Sequence, residues 1–167
     1  MSQFGHLEVC ALLLTRDAEV NGKLDRGHTP LILAATGGFA EICTLLLENG
    51  ANIGEKDDAG FTALLSTANA GHLEVCKMLL DSGASIDDKK NNGTTALILA
   101  ALKGHLEVCE ILLDRGASIR EKNNEGMTVL LWAAEKCNLE LCEILLDRGA
   151  SINDKNQGRT ALHYVAY

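Results

Sequence analysis

Six cysteines and five histidines are the residues of this 167-residue chain best suited to chemistry. GHLEVC stands at 5–10, 71–76 and 104–109, with GFAEIC at 38–43 and CNLELC at 137–142. Cys10, Cys43, Cys76, Cys109 and Cys142 therefore recur every 33 residues. His72–Cys76 and His105–Cys109 are i, i+4 pairs on one helical face, and together they offer a Cys2His2 set of the kind that holds zinc. Against zinc, the ligands must all come within about 2.3 Å of one ion, while packed helices lie about 8–10 Å apart. Phe39 and Asn138 also take the histidine's place in two copies. The same separation exceeds the Cα distance of about 7 Å that a disulfide tolerates. The competing reading is a small buried hydrophobe repeated because each unit offers its neighbour the same surface. That reading is favoured: the ladder is expected to be reduced and buried, with no metal and no cofactor. Cys137 stands outside the ladder, where other copies have glycine, and is expected to be the accessible thiol.

Other reactive constellations are missing from the sequence. There is no Gly-rich phosphate loop, no paired catalytic carboxylates and no Ser-His-Asp order, so the chain is not expected to be an enzyme or to take a small-molecule substrate. Fifteen basic against 23 acidic residues give a formal charge of −8, the wrong sign for nucleic acid or an anionic membrane. No apolar run approaches the roughly 20 residues of a membrane span, and MSQFGHLEVC lacks the plan of a signal peptide. An intracellular protein, cytoplasmic or nuclear, is the expectation.

The elements that carry the ladder are legible as repeats. Units occupy 27–59, 60–92, 93–125 and 126–157, with partial units at 1–26 and 158–167, in a single array over 1–167. The unit 126–157 is one residue short. Thr29, Thr62, Thr95, Thr128 and Thr160 precede apolar-and-alanine runs as N-caps of a short first helix. Gly37–Gly38, Gly71 and Gly104 end it. A second helix carries glutamate in its first turn (Glu8, Glu41, Glu74, Glu107, Glu140), suited to the helix dipole. It closes at Gly50, Gly83, Gly116 or Gly149, where a left-handed residue is wanted, and Asp17 takes that role in the first unit. Leu73, Cys76, Leu79 and Leu80 keep helical spacing inside it, as do Leu106, Cys109, Leu112 and Leu113. Lysines 23, 56, 89, 122 and 155 form a second ladder beside acidic residues, which reads as cross-repeat pairing. Glu107, Glu110 and Asp114, with Glu140, Glu143 and Asp147, make an acidic outer stripe.

G-x-T-x-L, G-H-L-E-V and L-L-x-x-G-A, in register over 33 residues, resemble the ankyrin repeat. The resemblance covers essentially the whole chain. It implies an all-α ankyrin-repeat solenoid of stacked helix–turn–helix units joined by β-hairpin-like loops. Where the family has T-P-L-H, the chain has TPLI, TALL, TALI and TVLL, with histidine only in TALH at 160–163. Packing is expected to replace the polar support of those histidines.

The resemblance further implies a non-catalytic scaffold that binds a protein partner on its concave, hairpin-side surface. Carried over position by position, the contact residues are Asp25, Arg26, His28 and Thr36, then Asp58, Ala59, Phe61, Asn69 and Ala70. They continue as Asn91, Asn92, Thr94, Leu102 and Lys103, then Asn124, Glu125, Met127, Glu135 and Lys136, and finally Asn156, Gln157 and Arg159. Trp132 and Tyr164 share a first-helix position that is leucine at 33 and 99 and serine at 66, and an aromatic there is expected to face the groove or to fill core space. Phe61, Leu102, Met127 and Trp132 are the apolar anchors an interface centre needs. The family also implies that Asn153, in LLDRGASIN with Leu145 eight residues before it, is a candidate for asparagine hydroxylation. Two alternatives stay open. The array is a fragment that targets or regulates a separate catalytic or channel domain, or it is a self-associating structural element.

Overall fold

A computed structural model describes residues 3–166 of the chain. Ten α-helices run through it: α1 (Gln3–Leu14), α2 (Pro30–Thr36), α3 (Ala40–Glu48), α4 (Ala63–Ala70), α5 (Leu73–Asp81), α6 (Ala96–Lys103), α7 (Leu106–Asp114), α8 (Val129–Glu135), α9 (Leu139–Asp147) and α10 (Ala161–Val165). Two isolated β-bridges, Lys89 with Thr95 and Asn156 with Arg159, supply what strand pairing there is among the described residues. The chain divides into two compact units, Met1–Ser85 and Ile86–Tyr167. In the first, α2 pairs with α3 and α4 with α5, while α2 packs on α4, α3 on α5 and α1 on α3. In the second, α6 pairs with α7 and α8 with α9, while α6 and α10 both pack on α8.

Helices of seven to nine residues are too short to persist alone in water, so packing must hold them. Their starts are set by side chains. Thr29, Thr62, Thr95 and Thr128 each accept a hydrogen bond from the backbone N–H three residues on, at 3.3 Å. The residues accepted from are Ile32, Leu65, Ile98 and Leu131, which stand where the T-P-L-H pattern has histidine. All four are almost fully buried, so packing does take over there. His163 keeps the polar arrangement: its Nδ1 lies 2.9 Å from Thr160 Oγ1 and accepts from the Thr160 N–H at 3.3 Å.

Left-handed residues end the helices. Gly50, Gly83, Gly116 and Gly149 have φ between 87° and 91°, and Asp17 adopts φ 61° in the matching place. Cys137 has φ 53°, where the other units use Gly38, Gly71 and Gly104, and a side chain is disfavoured in that conformation. The missing residue of the fourth unit is taken from its hairpin. Gln157 and Gly158 have φ 49° and 80°, and Asn156 and Arg159 exchange two N–H to carbonyl bonds of 2.9 Å across them. Two consecutive positive φ values suit the tightest hairpin loop, of two residues.

The three inner rungs of the cysteine ladder lie in the core, and the two outer ones depart from the expected burial. Cys43, Cys76 and Cys109 are wholly buried, Cys10 and Cys142 are half-buried, and Cys137 is exposed. All six are free thiols. Burial pushes the Cys43 thiol up to about 12; the Cys142 thiol is also raised, first by burial and then by the nearby Cys137.

Candidate protein-binding surface

Hairpin tips and first-helix ends position the residues singled out in the sequence. In the first unit, a groove of about 470 Å³ brings together Arg26, His28, Thr36, Asp58, Ala59, Phe61 and Asn69, with Ile32, Asp57 and Ser66 completing its wall. Asp25 is exposed on the short 3-10 turn Asp25–Gly27 beside it. Phe61 is half-buried, and Arg26 and Asp58 are exposed. The Asp58 N–H donates to the Arg26 carbonyl at 3.0 Å, which joins the two tips.

Asp57 was not among the residues expected here, yet it organises this groove. Its Oδ1 accepts from the N–H groups of Ala59 at 2.9 Å and Phe61 at 2.8 Å, and its Oδ2 lies 3.3 Å from His28 Nε2. One carboxylate thus folds its own hairpin tip and holds a side chain from the preceding one. Asn123 does the first job in the second unit, accepting from Glu125 at 3.1 Å and Met127 at 2.9 Å. The signal was present in the sequence as DDAG and NNEG, an Asx residue three before a glycine. Lys90 occupies that place in the intervening unit, and there Asn92 Oδ1 accepts from the Thr94 N–H at 3.2 Å.

In the second unit the asparagines serve the hairpins. The Asn124 N–H donates to the Asn92 carbonyl at 2.9 Å, and its side-chain amide to the Asn91 carbonyl at 3.3 Å. Asn91, Asn92, Asn124, Glu125, Lys103 and Arg159 are exposed, and Leu102 is half-buried. Two expectations need correction. Thr94 and Met127 are each only 4% exposed, so neither offers its side chain to a partner. Met127 is covered by the next hairpin: Asn156 Nδ2 donates to its sulfur at 3.0 Å and to Tyr164 Oη at 3.1 Å. A position that is solvent-facing at one tip becomes core when a neighbouring tip folds over it.

Trp132 is half-buried. Its indole N–H is inaccessible and has no hydrogen-bond partner among the described residues. Lys136 Nζ lies 6.0 Å from the ring centroid and 3.6 Å from Glu135 Oε1. The ring is therefore part core and part surface, with a cation–π contact on its open side.

Lysines pair across repeats within each unit: Lys23 with Glu55 at 2.5 Å, Lys89 with Glu121 at 2.6 Å and Lys122 with Asp154 at 3.9 Å. Each bridges 32 residues, so these three lysines of the ladder stitch hairpin to hairpin. The histidines of the second helices act similarly. His72 Nε2 donates to the Thr36 carbonyl at 3.0 Å, and His6 stacks on Phe39 with centroids 6.4 Å apart. No group of three or more His, Cys, Asp or Glu side chains converges to hold a metal among the described residues. No helix among them is long and apolar enough to cross a membrane. Asn153 is exposed, beside the exposed Ile152.

No curated protein matches the chain. The family model for ankyrin repeats in three copies matches residues 1–90, 49–123, 87–156 and 115–167, overlapping placements that together span the chain. Capping threonines, left-handed glycines and paired helices stacked in sequence give that match its physical content: the chain belongs to the ankyrin-repeat family.

Proposed function

We propose that the chain is a non-catalytic scaffold that binds a protein partner on its hairpin-side surface. Ankyrin repeats are in general protein–protein interaction modules, and repeat arrays work through the face that stacking leaves open. The observation that carries the reading is the groove of the first unit. It gathers Arg26, His28, Asp58, Phe61 and Asn69 from successive repeats around one half-buried aromatic ring. A ring with charged and amide groups about it has the make-up of an interface centre with its polar rim. On the second unit, the half-buried Trp132 with Lys136 beside its ring offers a smaller feature of the same kind.

A photo-reactive residue at position 61 tests this, with another at Glu143 on the acidic outer stripe as control. Partner adducts are expected at 61 and not at 143. Phe61→Ala is then expected to weaken the captured partner's binding by about 2 kcal/mol, and Glu143→Ala by little. Adducts at 143 alone would overturn the assignment. Hydroxylation of Asn153 remains the proposed modification, and mass spectrometry after co-expression with an asparaginyl hydroxylase decides it.

A further inference from the structure

One position on the first helices changes size from repeat to repeat. It is leucine at 33 and 99 and tryptophan at 132, but serine at 66, on α4. Ser66 lines the groove of the first unit, yet it is only 7% exposed, so it lies at the bottom of that groove. A serine where other repeats have leucine or tryptophan leaves space above the helix, and Ile32, Ala59 and Phe61 give that space apolar walls. The Ser66 hydroxyl has no hydrogen-bond partner among the described residues. A buried polar group therefore faces the groove unmatched, a state that folded chains seldom leave without a purpose.

Charge selects what can enter. Asp57 and Asp58 line the groove together with Arg26 and His28, and Asp25 is exposed beside them. With the imidazole neutral, Asp25, Asp57 and Asp58 stand against Arg26 alone, in a chain whose formal charge is −8. That field repels an anion and draws in a cation. Arg26 is exposed at the rim, whereas Ser66 and the Asp57 carboxylate are buried. A cation bound for Ser66 must therefore pass the rim on a long stem that tolerates apolar walls. Lysine and arginine have that build, an aliphatic stem with a charged, hydrogen-bonding head.

We propose that the space over Ser66 takes a lysine or arginine side chain from a basic segment of a partner protein. Its stem lies along Ile32, Ala59 and Phe61, and an N–H of its head donates to the Ser66 hydroxyl oxygen. Partner binding on the hairpin side is carried over from the function proposed above; Ser66 adds the chemistry of the residue that is read there. A leucine at 66, as at 33 and 99, would fill the same space from inside the fold. Added salt weakens the attraction between such a segment and this chain.

A displayed library of short random peptides, selected on the 167-residue chain, tests the proposal. Enriched peptides are made synthetically, titrated by fluorescence anisotropy and crosslinked to chains with a photo-reactive residue at 61 or 143. They are expected to share a lysine or arginine and to crosslink at 61. Norleucine in place of that residue keeps the stem and removes the charge, and should weaken binding about tenfold. Ser66→Leu should weaken it about tenfold or more, and Ser66→Ala, which removes only the hydroxyl, about fivefold. Arg26→Glu, at an exposed site, should tighten binding about fivefold, whereas it would weaken a carboxylate or phosphate ligand. Circular dichroism checks the fold of Ser66→Leu, and the other two variants decide the matter if leucine is not accommodated. Peptides that crosslink at 61 but share no basic residue, or that Arg26→Glu weakens, overturn the proposal and leave the hairpin-side function standing. Crosslinks at 143 alone overturn both. Failure to enrich any peptide over the Ser66→Leu chain overturns the proposal as well.

Discussion

Replacing Gly38 by alanine separates two reasons for a glycine, because the chain contains its own control. Gly38 has φ 76°, and a Cβ built there lies 2.6 Å from His72 Nδ1. Gly104 holds the matching place two repeats on with φ 77°, and nothing lies within 4 Å of a Cβ built on it. The difference originates at the residue 34 positions later, His72 in one case and Asn138 in the other. The shorter Asn138 turns back to cap its own helix, accepting from the Leu141 N–H at 3.0 Å. Both alanines incur the left-handed backbone cost, about 1–2 kcal/mol. Only Gly38→Ala must also displace the His72 ring and its bond to the Thr36 carbonyl, 3.0 Å long, for a further 0.5–1.5 kcal/mol or so. Gly38→Ala is expected to cost about 2–3 kcal/mol in urea denaturation followed by circular dichroism, and Gly104→Ala about 1 kcal/mol less. In a His72→Ala background the two should become equal. Equal costs in the unmodified background, or a difference that survives His72→Ala, would refute the account.

Thiol reagents should reach Cys137 well before Cys76 or Cys109 in the native chain, because the latter two are wholly buried; peptide mapping of brief labelling reads the order. Burial lifts the Cys43 thiol from 9.0 to about 12, so between those values the unfolded chain gives up a proton that the folded chain keeps. Its contribution to stability is whole below pH 9.0 and is lost as pH rises towards 12; urea midpoints should fall less steeply with alkaline pH in Cys43→Val. Trp132→Phe removes a buried N–H that has no partner, a group whose desolvation costs about 1–3 kcal/mol. Thermal denaturation should find it neutral or stabilised, and a clear loss of stability would mean that the N–H is satisfied in solution.

The repeat frame could be read from the chain because its signals are local. A threonine caps the helix it begins, and Asp17 or Gly50 turns left-handed whatever lies far away. The lysine ladder was legible too, since a charge recurring with the repeat meets its opposite on the next hairpin. What escaped were positions whose state depends on a neighbour. Met127 and Phe61 hold the same place two repeats apart, yet one is under the Asn156 hairpin and the other lines a groove. Leu139 and Leu162 obey the buried pattern in type but lie exposed. Trp132 is split between core and surface by contacts that no single-residue signal encodes. Asp57 and Asn123 are legible as Asx residues before a glycine, but they act on backbone amides, which variation among side chains from repeat to repeat does not mark.

The turn that lets Asn124 reach back to Asn92 also holds one of the chain's three Asn-Gly steps, with Asn21–Gly22 and Asn49–Gly50. Asn92 and Gly93 form the kind of step at which the glycine nitrogen attacks the asparagine side chain, closing a succinimide and releasing ammonia. In the folded chain that nitrogen is occupied, its N–H donating to the Lys90 carbonyl at 2.9 Å, while Asn92 Oδ1 is held by Thr94. The ring cannot close until the hairpin opens. Opening of the ring towards ordinary aspartate would keep an oxygen for Thr94; opening towards the iso form would insert a methylene into the backbone. The carbonyl that receives the Asn124 N–H would then be carried out of line. Slow chemical damage at this one turn is thus a cumulative record of how often the hairpin has been open, and an iso-aspartate there would hold it open for good.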